Sequence, residues 1–386
     1  MLDFQFYNPV RVIFGASSLE ALDSLLPGQA TVMITYGGGS VLKNGVLDQV
    51  KLHLKSRKVV LFGGITANPK YERLLEALPL IAEEGVDFLL AVGGGSVIDG
   101  TKFIVAAQAF PGVDKWEVVR QHGDCAYGPV LPFGTVLTLS ATGSEMNSGA
   151  VISRSDTKEK FSIGHDALFP KFSIVNPAFT LSLPRRQLAN GVVDAFVHVM
   201  EQYMTYPCEA PLQDRMSESV LQTLLEIAPK LMGGSKEIEL RNTLAMCALY
   251  GLNGSLAMGV PEDWSTHRLG HELTALFGLD HGLTLAIVLP ALLRDQFENK
   301  RAKLAQCAQR VFGLSAQDES ALATACIDSI EAFFLQIYGK LHLADYGITL
   351  EQASEVWRRW AARDWKLGEH CTVDAQAVER ILTMAR

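Results

Sequence analysis

The first half of the chain alternates short runs rich in β-branched and aromatic residues with stretches of helical periodicity. Val10–Phe14, Thr31–Tyr36, Lys58–Phe62, Asp87–Val92 and Val130–Leu139 read as strands. Between them, Leu47–Leu54 and Tyr71–Glu84 carry apolar residues at helical spacing. Strand and helix in regular alternation predict a parallel sheet covered by helices. Near Leu183 the pattern changes. LPRRQLANGVVDAFVHVMEQY opens with Pro184 at a helix start and then keeps a long apolar periodicity. From there to Arg386 helix signals run almost without interruption and strand signals are few. The expected organisation is an α/β domain over residues 1–182 and an all-α domain over residues 183–386. No repeat period and no Gly/Ser linker separates them, so direct packing is expected, with the cleft between the domains as the natural site.

Composition narrows the class. Hydrophobic residues make up 48% and charged residues 20%, the balance of an ordinary globular protein. The net charge of −8 argues against a nucleic-acid partner. Six cysteines are scattered without a CxxC pair, which fits reduced thiols and a cytoplasmic location better than a disulfide framework or a zinc ribbon. The opening MLDFQFYNPVRVIFG has Asp3 before any basic residue and no long apolar core, so it does not read as a secretory signal. The most apolar stretch, near Leu283–Leu293, is too short and interrupted to span a bilayer, and no membrane partner is expected.

Two glycine-rich turns follow predicted strands: TYGGGS at Thr35–Ser40 and AVGGGSVIDGTK at Ala91–Lys102. Glycine at a strand-to-helix turn lets the backbone approach a phosphate, and the helix start offers free N–H groups and a positive dipole end. Neither turn is GxGxxG, and a tight turn that binds nothing is the competing reading. LTLSATGSEMNSGA, Leu137–Ala150, taken alone is a polar loop.

The chain holds nine histidines, and four fall in suggestive positions of the helical half. Asp194 and His198 are spaced i, i+4 and share a helix face, as do His267 and His271, while His281 follows a glycine-containing turn. One carboxylate and several imidazoles are donors for a divalent transition metal. A hydrogen-bonded Asp–His pair and core histidines explain the same spacing without a metal, and both readings stand. Glu272 follows His271, but HExxH is absent.

Taken together these blocks resemble the iron-containing (group III) alcohol dehydrogenases, and within them the NADPH-dependent broad-range aldehyde reductase or butanol-dehydrogenase-like branch. The resemblance runs over nearly the whole chain. It rests on NPVRVIFG, ITYGGGSVLKNGVLDQV, FGGITANPKYE, DFLLAVGGGSVIDGTKFI, LTLSATGSEMNSGAVISR, NGVVDAFVHVMEQY, VPEDWSTHRLGHELTALFGLDHGLTLAIVLPA and LADYG. It implies a Rossmann-like N-terminal domain with a parallel sheet that binds the dinucleotide, and an all-α C-terminal domain that binds metal and substrate.

By that resemblance Asp194, His198, His267 and His281 are ligands of one divalent ion, Fe2+ or Zn2+. His271 lies near nicotinamide and substrate and Asp99 faces the nicotinamide side, and both are expected in catalysis. Gly94, Gly95 and Ser96 match the pyrophosphate-binding turn, Thr138 and Thr142 line the dinucleotide, and Asn68 belongs to a nucleotide-side NP motif. Asn147 and Lys160 match positions near the cofactor ribose, although EKFSIGHDA at Glu159–Ala167 departs from the family pattern. NAD-specific relatives carry an acidic residue after the first of these strands, where this chain has Gly37, Gly38, Gly39 and Ser40. A carboxylate there holds a 2′-hydroxyl and repels a 2′-phosphate, so the turn points to NADP(H).

The implied reaction is reduction of an aldehyde to a primary alcohol, or the reverse, by hydride transfer from NADPH, with His271 relaying a proton. A homodimer acting on small aldehydes and alcohols is implied as well. NAD-dependent diol or glycerol dehydrogenases are the competing reading. A lyase similar to dehydroquinate synthase needs Lys and Arg around the metal, where this chain has Phe196, Leu273 and Leu276. A silent binding protein would not need every one of these positions filled.

Overall fold

The computed structural model describes all 386 residues, Met1–Arg386. It divides into two compact units, one of Tyr7–Leu183 with Lys236–Leu249, and one of Met1–Phe6, Pro184–Ser235 and Tyr250–Arg386.

The first unit contains eight strands: β1 (Arg11–Phe14), β2 (Val32–Tyr36), β3 (Val59–Phe62), β4 (Phe88–Gly94), β5 (Phe133–Leu139), β6 (Gly149–Arg154), β7 (Glu159–Gly164) and β8 (Phe172–Val175). Six form one parallel sheet in the order β1-β8-β5-β4-β2-β3, and β6 and β7 form a separate antiparallel hairpin. The five expected strands are all present. The fifth starts at Phe133 rather than Val130, and Pro132 just before it has no N–H to give to a ladder. β8 and the hairpin were not expected. β8 is only four residues long, β6 (GAVISR) is broken by small residues and β7 (EKFSIG) opens on two charges, so none carries a strong periodic signal.

Four helices of this unit matter here: α1 (Val46–His53), α2 (Tyr71–Leu75), α3 (Ala77–Glu84) and α4 (Gly95–Ala109). The single helix expected over Tyr71–Glu84 is two. Pro79 would set its ring against the carbonyl of Leu75, so a continuous helix is broken at Glu76. Alternate strand residues enter opposite cores. Val32, Ile34, Leu90, Val92 and Val136 pack with Leu47 and Val50 of α1, whereas Met33, Leu89, Ala91 and Leu137 pack with Ile98 and Val105 of α4. Both sheet faces are covered, which is why the central strands read as continuous apolar runs.

After Leu183 the helices are α5 (Arg185–Tyr203), α6 (Pro211–Met232), α7 (Ile238–Gly251), α8 (Ser265–Phe277), α9 (His281–Asp295), α10 (Phe297–Arg310), α11 (Glu319–Tyr338), α12 (Leu350–Ala362) and α13 (Ala375–Met384). α9 is central to the helical unit. Every residue from Gly282 to Leu293 is buried, so the most apolar stretch of the sequence is a core helix. Leu269 and Leu273 of α8 pack in the same core as Ile287, Trp360 and Ile381. By length and composition α11 is the one helix apolar enough to cross a membrane. Its Phe333 and Phe334 rings pack on Phe196 of α5 as core residues do.

The glycines where β4 passes into α4 are required by packing. A Cβ on Gly93 would lie 2.5 Å from Val97 Cγ2, on Gly94 2.9 Å from Leu139 Cβ, and on Gly95 2.4 Å from Thr142 Oγ1. Gly38 has nothing within 4 Å of such a Cβ. Gly95→Ala is therefore expected to lower the unfolding free energy by about 1–3 kcal/mol, and Gly38→Ala to leave it nearly unchanged. Urea denaturation of both variants checks this, and a Gly95→Ala protein as stable as the parent removes the packing account.

Candidate metal centre and cofactor-binding edge

Three helices of the second unit bring the histidines together. α5 starts at Arg185, directly after Pro184, and carries Asp194 and His198 one turn apart on its buried face. α8 carries His267 and His271, and its first residue is tied down by a hydrogen bond from Ser265 N to Asp263 Oδ1 (2.9 Å). His281 is the first residue of α9. Asp280 before it is gripped by the Arg186 guanidinium and by Asn190 Nδ2 (3.0 Å), and Tyr338 donates to Asn190 Oδ1 (2.8 Å).

Asp194 Oδ1 lies 3.8 Å from His198 Nε2, 3.5 Å from His267 Nε2 and 3.6 Å from His281 Nε2. Donor atoms arranged tetrahedrally around one ion with bonds near 2.1 Å sit about 3.4 Å apart. Asp194 Oδ1 and His267 Nε2 are buried and have no hydrogen-bond partner. Orphaned buried donors and acceptors cost free energy unless something joins them. Burial pushes the Asp194 carboxyl up, but the neighbouring imidazoles, His198 foremost, outweigh it and hold the group well below its ordinary range. Burial lowers His198 to about 4 against the opposing pull of Asp194. At His267 burial works against a charge, yet Glu201 and Asp194 raise the imidazole to about 9. The donor set fits a divalent metal ion.

His271 is buried beside this cluster, its ring centroid 5.0 Å from that of His281 and 6.1 Å from that of His267. Trp264, half-buried, meets the His198 and His267 rings edge-on. One further acidic group escaped the sequence reading. Glu201 lies on the same α5 face as Asp194 and His198 and contacts His267. Its signal was present as the i, i+4, i+7 pattern of DAFVHVMEQ.

In the first unit the expected dinucleotide residues gather at the carboxyl ends of adjacent strands. β2 lies between β3 and β4, so the chain reverses direction across the sheet there, the place where parallel sheets bind ligands. Gly37, Gly38, Gly39 and Ser40 follow β2, Asn68 follows β3, Gly94 to Ser96 join β4 to α4, and Thr138 and Thr142 close β5. Gly39 has φ +104° and Asn68 φ +55°, conformations that suit glycine and asparagine. No side chain caps the start of α4, so the N–H groups of its first turn remain for an anion.

Asp99, Asn147 and Lys160 lie deeper. Asp99 Oδ1 accepts from Ser144 Oγ (2.7 Å) and Oδ2 from Val151 N (3.0 Å). Asn147 Oδ1 accepts from Lys102 Nζ (3.0 Å) and Gly149 N (2.9 Å), and its Nδ2 donates to Gly143 O (2.9 Å). Lys160, on β7, is 3% exposed and near enough to Asp99 to favour its charge. Both Asp99 oxygens are thus engaged within the unit. Lys102, unforeseen, is the hub. Fully buried, it donates to Ser144 O (2.7 Å), Ser144 Oγ (2.9 Å) and Gly149 O (2.7 Å). Burial lowers it to about 8 against the opposing pull of Asp99 and Glu145. Glu145 is pushed up to about 7 by its own burial.

Comparison with known proteins agrees with this geometry. The model of the iron-containing alcohol dehydrogenases matches residues 9–177, and that of the C-terminal region of the Fe-containing alcohol dehydrogenase family matches residues 188–385. The chain belongs to the iron-containing alcohol dehydrogenase family. It is 45% identical to the NADPH-dependent aldehyde reductase YqhD of Escherichia coli, with all of each chain covered, and 40% identical to a probable NADH-dependent butanol dehydrogenase of Bacillus subtilis, with 92% of each covered. The crystal structure of E. coli YqhD superposes with a TM-score of 0.98 at 44% identity, covering 100% of this chain and 99% of that one. The NADH-dependent butanol dehydrogenase A of Thermotoga maritima superposes with 0.93 at 32% identity, again over 100% and 99%.

Lys102→Met removes the hub and takes from Asp99 the cation that favours its charge most. Breaking such a buried arrangement is expected to cost about 3–5 kcal/mol, read as a lower urea midpoint at neutral pH. An unchanged midpoint shows that the loop after β5 does not depend on the lysine.

Proposed function

We propose that this protein is a metal-dependent, NADPH-using aldehyde reductase that converts aldehydes to primary alcohols and catalyses the reverse oxidation. The observation that carries the proposal is the convergence of three imidazole Nε2 atoms on Asp194 Oδ1, at 3.5–3.8 Å, on three different helices. Asp194, His198, His267 and His281 hold one divalent ion. This donor set suits Fe2+ and Zn2+ alike, and the family description favours Fe2+. When bound, the ion supplies Lewis acidity to the carbonyl oxygen, and the nicotinamide supplies the hydride. His271 relays a proton to the carbonyl-derived oxygen, which completes the alcohol. Trp264 and the apolar residues between the ligands keep water from the reacting carbonyl.

The sheet unit binds the dinucleotide. Gly37–Ser40 and Gly94–Ser96 take the phosphates, Asn68, Thr138 and Thr142 line the nucleotide, and Asp99, Asn147 and Lys160 shape the floor beneath it. NADPH is favoured because Gly37–Ser40 carries no carboxylate and Lys43 follows closely. The competing reading, an NAD-linked diol dehydrogenase, is less favoured: the 1,3-propanediol dehydrogenases of Citrobacter freundii and Klebsiella pneumoniae are only 26% and 25% identical. β1 is an edge strand whose last residue, Phe14, is exposed, as is Tyr7 before it, which suits a homodimer. The six unpaired cysteines suit the cytoplasm.

His267→Ala is expected to lose most activity and most bound metal, whereas His271→Ala keeps its metal and loses rate with an altered pH profile. Metal analysis beside aldehyde reduction at 340 nm separates the two. Full metal and parental turnover in His267→Ala would refute the ligand assignment, and metal loss in His271→Ala would make that residue a ligand.

Gly38→Asp tests the cofactor. The space beside Gly38 is open and its φ is not left-handed, so the side chain fits. The new carboxylate should lower kcat/KM for NADPH by about 100-fold and spare or improve NADH. A variant that harms both cofactors alike shows that this turn does not read the 2′ position.

A further inference from the structure

We infer that Glu201 is a positioning residue for the metal centre: it fixes the ring and tautomer of His267 so that Nε2, not Nδ1, faces Asp194, His198 and His281. This rests on the metal reading above.

Glu201 is 3% exposed, and its two carboxylate oxygens serve one residue. Oε1 accepts from the His267 backbone N–H (3.0 Å), and Oε2 is paired with His267 Nδ1. A carboxylate offers only acceptors, so Nδ1 must carry the proton and Nε2 is left with its lone pair for an ion. Burial raises the Glu201 carboxyl, and His267 opposes that shift. The backbone is enlisted too. Asp263 N donates to Glu201 O (2.8 Å), and Asp263 is held by Lys300 at 2.8 Å. Lys300 also donates to Met204 O (2.8 Å) and Glu369 Oε1 (2.8 Å). The start of α8 is therefore pinned to the end of α5 through both backbone and side chain of one residue. His198 has no such partner, since its Nδ1 is buried without a hydrogen bond. Among these two ligands only His267 has a carboxylate behind it.

Glutamine is nearly the same shape but cannot repeat the pattern. If its oxygen accepts from the His267 backbone, its NH2 faces Nδ1 and moves the ring proton to Nε2, where it blocks an ion. If the amide flips, the buried backbone N–H loses its acceptor. Either way metal affinity falls.

The test uses the full-length apoprotein and Co2+ as probe, followed by chelator competition and by the visible absorption of the bound ion. Glu201→Gln is expected to weaken Co2+ binding by about 10–100-fold and to change the Co2+ spectrum, with thermal stability held close to the parent. Glu201→Asp, which keeps the acceptors, is expected to recover part of the affinity. Parental affinity and spectrum in Glu201→Gln overturn the positioning role alone. A parent that binds no Co2+ overturns the metal reading and this role with it. Should Glu201→Gln fail to fold, nitrogen-15 NMR of histidine-labelled, Zn2+-loaded parent decides: a protonated Nδ1 on His267 supports the inference, and ligation through Nδ1 overturns it.

Discussion

A carboxylate that is buried without a matching cation is among the least tolerable features of a protein interior. Asp194 is buried, and the imidazoles that surround it answer its charge. Its Oδ1 faces imidazoles from α5, α8 and α9, and the starts of α8 and α9 are held by polar contacts of their own. Asp263 fixes the start of α8, Asp280 with Arg186 and Asn190 fixes the start of α9, and Pro184 precedes α5. The apolar mass of α9 and its partners supplies the rigidity against which those short polar links work.

The sheet unit meets a different constraint. A phosphate-binding turn needs a bare backbone, but the glycines where β4 passes into α4 are also demanded by Val97, Leu139 and Thr142, which leave no room for a Cβ. Packing and binding ask for the same residue type, so glycine there does not by itself reveal a ligand. Gly38 is different, since nothing in the structure crowds it. Below these turns Lys102, fully buried, gathers the carbonyls and hydroxyl of the loop after β5 and makes one rigid floor of Asp99, Ser144 and Asn147.

Family membership and the proposed activity follow from combining the two units. A parallel sheet with glycine turns is shared by many nucleotide-binding proteins, and three histidines with an aspartate by many metalloproteins. The combination in one chain, in this order, is what relates it to the iron-containing alcohol dehydrogenases.

Much of this was legible in the sequence because it is periodic or local. Strand and helix alternation gave the parallel sheet, i, i+4 spacing put Asp194 beside His198 and His267 beside His271, and the turns announced themselves by glycine. The hairpin β6–β7 and the short β8 were not legible, since four to six residues of mixed polarity carry too little pattern. The break at Glu76 was legible in Pro79 but outweighed by the apolar repeat around it. The contact between Glu201 and His267 joins residues 66 apart in sequence, and that between Lys102 and Ser144 residues 42 apart. Local sequence chose which side chains each helix and turn presents. Only tertiary packing decided which of them meet, because the energy of a buried charge depends on partners that the chain brings from far away.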